Sequence, residues 1–315
     1  MQSLNLAPIA FFAYKRPEHT LKALTSLSQC KLAQQSILYI FCDAAKFTQD
    51  REPVQQVREV VRSQQWCGKV EIIYRESNFG LAQSIISATT SLCKQHGRVI
   101  VLEDDLIVSP YFLKYMNDAL NLYESEAKVM QISGHMFPFD IKQSETDAIF
   151  LPLTTTWGWA TWDRAWKQFN SGITGYQQLK KNPQLRRKFD LDGSYPYFRM
   201  LQQKIKGKVD SWGIDWYLTV FRAEGLSLFP IKSLVANIGF DGSGTNCGYS
   251  HIQTKEYFVR LEKEQVEYRY PSLIKESIYK EKIFNTILLE TRQPNVFLKI
   301  LHKAWKISNK FKLSL

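Results

Sequence analysis

The sequence predicts an α/β fold: a mostly parallel central sheet flanked by helices, followed by a helical C-terminal extension. Three observations carry this. Apolar runs begin near residues 6, 36, 69 and 98, and amphipathic stretches of helical period separate them. Alternation of this kind gives parallel strands joined by right-handed crossovers. The first run is apolar throughout, the pattern of a strand covered on both faces. Beyond Lys255 the character of the chain changes to charged helix.

Residues 6–14 (LAPIAFFAY) read as the first strand, and Pro17 and Glu18 open the helix after it. Residues 36–42 (SILYIFC) form the second strand, ending beside Asp43; 51–65 a helix; 69–74 (KVEIIY) the third strand. A turn at 77–80 (SNFG) leads into a helix over 81–95. The fourth strand, from Arg98, runs into Glu103, Asp104 and Asp105, and a helix over 110–123 follows. A further strand at 128–133 (KVMQIS) ends at Gly134 and His135. Residues 175–208 are polar, basic and helical, and 227–238 give two short strands.

At 315 residues the chain is long enough for one large domain or two modest ones. The expected division is a catalytic domain over 1–254, with halves 1–134 and 135–254, and a basic tail over 255–315. Hydrophobic content of 44% and charged content of 23% exclude a disordered chain. The formal charge of +11 invites an anionic partner. Nucleic acid is not expected, because there is neither a recognisable module nor a basic stripe on the main domain. About half of the excess lies beyond Glu290, where Arg292, Lys299, Lys303, Lys306, Lys310 and Lys312 meet no acid. Residues 296–315 set Lys299, Lys303, Lys306 and Lys310 opposite Phe297, Ile300, Leu301, Ala304, Trp305 and Phe311, the pattern of a helix lying on a membrane surface. Docking on its own domain is the other use of such a helix. Five cysteines without a CxxC pair read as buried thiols in a reducing compartment. Without a signal peptide or a membrane span, the expected home is the cytoplasm, peripheral at the inner membrane face.

The chemistry concentrates at strand ends. Three adjacent carboxylates repel one another unless a counter-charge holds them, so Glu103, Asp104 and Asp105 suggest a metal and polar-ligand site at the carboxyl edge of the sheet. A solvated acidic turn is the plainer reading. No G-x-G-x-x-G or G-x-x-x-x-G-K-[ST] is present, which argues against a dinucleotide enzyme or a P-loop ATPase. Arg16 could meet a phosphate or a base, and Asp43 could accept from a uracil N–H; strand ends also carry such residues routinely. His135 could ligate a metal or simply be hydrogen-bonded. Small residues between the indoles of Trp157, Trp159 and Trp162 suit a ligand pocket or a core equally. Asp215, a single acid among aromatics near a helix start, caps that helix or acts as a general base. Residues 239–246 (GFDGSGTN) can present backbone N–H groups to a phosphate on closing, or serve as a linker.

Taken together, Val101–Phe112 (VLEDDLIVSPYF), Gly158-Trp159 and Asp215-Trp216 resemble the GT-A glycosyltransferases, and more narrowly the N-acetylglucosaminyltransferase I group and its bacterial relatives. The resemblance spans roughly residues 6–249. It implies the nucleotide-diphospho-sugar transferase (GT-A, Rossmann-like) fold and an inverting, metal-dependent transfer from a UDP-sugar to a glycan or lipid-linked glycan acceptor. Carried over by position, Asp105 would hold Mn2+ or Mg2+, Asp104 the ribose side, and Glu103 the donor sugar. Arg16 and Asp43 would hold the nucleotide, Ser243 the diphosphate, and Asp215 would be the base. The loop at 240–246 departs from the family in sequence. A sugar nucleotidyltransferase would carry a glycine-rich basic loop after the first strand, where this chain has Ala13-Tyr14-Lys15-Arg16-Pro17. A non-catalytic glycan-binding or assembly protein is the other alternative.

Overall fold

The computed structural model of the chain describes residues 5–139, 144–171, 174–241 and 267–292. Its first half alternates as the sequence predicts: β1 (Ile9–Ala13), α1 (Pro17–Ser28), β2 (Ile37–Cys42), α2 (Arg51–Arg62), β3 (Lys69–Tyr74), α3 (Leu81–His96) and β4 (Arg98–Glu103). β1 pairs in parallel with β2 and β4, and β2 with β3. Every residue of β1 is buried, as its unbroken apolar run requires. α3 stops at Gly97, whose φ of +77° is the left-handed conformation that ends a helix at little cost for glycine.

The second half comprises β5 (Leu106–Val108), α4 (Phe112–Leu122), β6 (Val129–Ser133), β7 (Ala148–Leu151), β8 (Trp159–Trp162), α5 (Asp163–Trp166), α6 (Tyr176–Lys181), α7 (Pro183–Phe189), α8 (Tyr197–Ile205), α9 (Trp212–Arg222), β9 (Leu226–Pro230), β10 (Val235–Asn237) and α10 (Lys280–Arg292). Among the described residues, eight strands form one sheet in the order β3-β2-β1-β4-β8-β6-β9-β7. β8 runs antiparallel to both β4 and β6, β6 is parallel to β9, and β7 is antiparallel to β9. All but β7 and β8 therefore point the same way. β5 and β10 make a separate antiparallel ribbon.

β7 and β8 carry no periodicity in the sequence that marks them as strands. The tryptophan segment, equally suited to a pocket and a core, divides. Strand geometry sends Trp159 and Trp162 to opposite faces of the sheet. Trp159 meets Trp166, Trp212 and Trp216 on one face. On the other, the Trp162 indole donates to the Leu120 carbonyl at 3.0 Å. Both are core residues, and Trp157, just before β8, is half-buried at the sheet's end. Two glycines allow the close packing there. The Gly134 N–H donates to the Gly158 carbonyl at 2.7 Å, and a Cβ on Gly134 would lie 2.6 Å from Phe112.

The described part of the C-terminal region is joined to this body. Tyr268 and Tyr270 pack around Tyr115, and Arg269 holds Asp147 at 2.9 Å. On α10, Ile283, Phe284 and Ile287 are buried in a cluster with Leu151, Leu218 and Phe229. Residues 293–315, where the membrane-surface helix is expected, lie outside the described residues. Cys30, Cys42, Cys67 and Cys93 are free and buried. Among the described residues no helix is long and apolar enough to cross a membrane.

Candidate active site

The acidic triplet closes β4 at the carboxyl edge of the sheet. Glu103 is the last strand residue, and Asp104 and Asp105 form the turn into β5. The pairing of β5 with β10 fixes that turn, since the Ile238 N–H donates to the Asp105 carbonyl at 2.8 Å. β1 lies beside β4, so the residues following β1 face the same turn. Arg16 meets it with one nitrogen: Nη2 donates to the Asp104 carboxylate and, at 3.0 Å, to Asp105 Oδ2. Its other nitrogen, Nη1, is buried without a partner among the described residues. In the first turn of α1, His19 reaches Asp241 at 3.1 Å and ties the far rim of the turn to the helix.

The electrostatics follow from burial. Glu103 is pushed well above the usual carboxylate range by desolvation, then by Asp105 and Asp104, with Arg16 opposing. Asp104 is also raised by desolvation, against the pull of the Arg16 guanidinium. One resident cation thus offsets only part of the charge of three carboxylates. The donor set also suits a hard divalent cation. Asp105 Oδ1 makes no hydrogen bond among the described residues, and Gly239 keeps the space beside the carboxylate open, since a Cβ there would stand 2.5 Å from Asp105 Oδ2. Among the described residues no three His, Cys, Asp or Glu side chains converge as a metal cage. Mg2+ and similar ions bound with phosphates take one or two carboxylates and complete their shell from the substrate and water, so the set fits.

Asp43 stands one residue past β2 on the same edge, with its carboxylate turned to backbone. It accepts from the N–H groups of Phe79 and Gly80 at 2.9 Å and of Ala44 at 3.0 Å. These bonds hold the 77–80 turn in place, a local role its position alone does not reveal.

Asp215 lies in the first turn of α9 and is 2% exposed. Its carboxylate is ion-paired with Lys204 at the end of α8. Desolvation raises Asp215 above the usual carboxylate range, Lys204 pulls it down, and Asp210 adds to the rise. The N-cap residue of that helix is Ser211, whose side chain makes no capping hydrogen bond.

A cavity of about 370 Å³ is lined by residues that adjoin each carboxylate site in the chain. Its walls include His135, Trp157, Tyr195, Tyr197, Ile214 and Phe240. Phe240 packs edge-on against Trp157 at 5.5 Å and follows Gly239, whose backbone abuts Asp105. On the other side, Ser211, Gly213 and Ile214 lead directly into Asp215, which does not itself line the cavity. His135 is buried among Phe137 and Trp157, and desolvation pushes it down to about 3, so it is a neutral imidazole.

Arg16, Asp104 and Asp105 are thus in direct contact, with Glu103 coupled to them; Asp43 and Asp215 stand apart, and Ser243 lies outside the described residues. Tyr195, Tyr197 and Lys204 went unnoticed in the sequence because nothing in a basic helical stretch marks which side chains turn inward.

No family model and no curated protein matches the chain. Similar solved structures include the mannosyltransferase PcManGT of Pyrobaculum calidifontis in complex with GDP-Man and Mn2+, at 11% identity and a TM-score of 0.32, covering 42% of this chain and 36% of that one. Staphylococcus TarS (S. aureus, residues 1-349) is 12% identical with a TM-score of 0.40, covering 75% of this chain and 61% of that one. Mouse xyloside xylosyltransferase 1, apo form, is 12% identical with a TM-score of 0.36, covering 71% and 84%. The chain therefore spans about a third of the first of these and three-fifths of the second. With TM-scores below 0.5, the likenesses carry no argument about family, donor or acceptor.

Proposed function

We propose that the chain is a glycosyltransferase that moves a sugar from a nucleotide-sugar donor to an acceptor hydroxyl. The observation behind this reading is the pairing of an Arg16-held acidic turn at the sheet's carboxyl edge with an aromatic cavity that ends beside the buried Asp215. Aromatic walls suit the flat apolar faces of sugars, and the polar edge of an open α/β sheet is where such folds place nucleotides. The finer reading is inverting, metal-dependent transfer from UDP, in the manner of the N-acetylglucosaminyltransferase I group.

In this reading Asp105 holds Mn2+ or Mg2+, with Asp104 and Glu103 facing the ribose and sugar hydroxyls and Arg16 the nucleotide. The bound ion supplies counter-charge for the diphosphate. Arg16 keeps the carboxylates of Asp104 and Asp105 ordered. Asp215 takes the proton of the acceptor hydroxyl as its oxygen attacks the anomeric carbon; the bond to UDP breaks from the opposite face, and UDP leaves with the electron pair. One base suffices, because no covalent intermediate is formed. The acceptor is a glycan or lipid-linked glycan met at the cytoplasmic membrane face, with residues 296–315 as the surface contact.

UDP release from UDP-sugars, with and without divalent cation, tests this directly. Asp105→Ala should abolish the cation-dependent release, and near wild-type turnover would remove the metal assignment. Asp215→Asn should keep donor binding and lose transfer by about 100-fold or more. Full activity of that variant would require a different base.

A further inference from the structure

Of the cations on the short helices α6, α7 and α8, Lys204 is paired with Asp215, and no ion pair holds the others among the described residues. Residues 176–208 contain nine lysines and arginines against two acids, Asp190 and Asp192, a net +7 within a chain of +11. The helices form one body: Arg186 lies over the Phe198 ring at 5.4 Å and donates to the Lys180 carbonyl at 3.4 Å, and Tyr176 stacks on Phe198 at 5.6 Å. Lys180, Lys181, Arg187, Lys188, Arg199 and Lys206 are exposed, and no ion pair joins any of them to an acid among the described residues. Elsewhere Lys114, Lys167 and Lys280 each face an acid four residues away. Of the two local acids, Asp190 is engaged with the Phe198 N–H at 2.7 Å. Residues 175–208 read as basic in the sequence, but their cations are spread over three helices and form no stripe there.

The same segment builds the cavity. Tyr195, Tyr197 and Met200 line it, and Arg199 is next to Met200 in the chain. Like charges gathered at a cavity rim repel one another, and an extended polyanion relieves that repulsion while releasing its own counterions. Insertion into a lipid surface calls for exposed large apolar side chains alongside the cations. In this fully described segment the exposed one is Ile205, at 39%. Building on the glycosyl-transfer reading, we propose that the acceptor is a phosphate-bearing glycan whose anionic chain lies along α6–α8 while its reacting hydroxyl enters the cavity.

The full chain should bind linear inorganic polyphosphate, ignore neutral dextran of similar length, and lose affinity steeply with salt. The double variant Arg187→Glu/Lys188→Glu, at two exposed positions, should weaken polyphosphate binding by about tenfold or more. It should leave UDP-sugar binding and donor hydrolysis unchanged, which separates this proposal from the transferase reading: loss of donor binding in Asp105→Ala bears only on the latter. Polyphosphate binding indifferent to the double variant would overturn the proposal. So would binding confined to anionic phosphatidylglycerol vesicles, or a clear preference for single-stranded RNA.

Discussion

The Lys204–Asp215 pair is where residue-level chemistry can be tested most sharply. Burial disfavours the charged carboxylate, and the neighbouring ammonium favours it. With Lys204→Met the opposing charge disappears, so Asp215 holds its proton to higher pH. The acidic limb of the transfer rate should then move upward in pH, and Lys204→Arg should hold it near the wild-type position. A limb that stays put in Lys204→Met would mean that Asp215 is not the group being titrated. Arg16 differs in kind: it is a fixed cation shared by two acids, with its Nη1 left over among the described residues. A substitution by lysine would keep the charge and lose the planar guanidinium whose Nη2 reaches both carboxylates.

At the scale of elements, the junction of β6, β8 and α4 is closely packed around two glycines. Gly158 has a φ of +61°, and a Cβ there would stand 2.7 Å from Val235 and 3.2 Å from Phe112. Gly158→Ala combines backbone strain with overpacking and should cost about 2–4 kcal/mol in urea denaturation. A variant with the wild-type midpoint would show that the strand end relaxes freely. The first four strands and their crossovers were legible in the sequence because each apolar run is bounded by a turn signal and followed by helical period. β8 was not legible: four residues rich in tryptophan carry no periodicity that separates a strand from a pocket wall. The acidic turn was legible from charge density. The partners of Asp43 and Asp215 were not, since a backbone N–H 36 residues on, or a lysine on a neighbouring helix, enters only through tertiary packing.

For the whole molecule, residues 267–292 are packed into the body of the fold. Ile283, Phe284 and Ile287 bury their side chains beside strands β7 and β9, and Ile287 also lines the cavity. Burying three such side chains contributes about 5 kcal/mol or more. A chain ending at residue 266 should therefore melt well below the full chain in a thermal scan, and an unchanged Tm would return α10 to a peripheral role. The strand order also bears on how the chain is made. β4 and β6 are synthesised before β8, which must then slide between them as an antiparallel strand. Until residue 162 has left the ribosome, both edges flanking that gap present unpaired backbone, and β7, already synthesised, still lacks its partner β9. Nascent chains halted before β8 should therefore expose two unpaired edges at once and aggregate more readily than chains halted after it, which a pelleting assay of the two stalled chains would check.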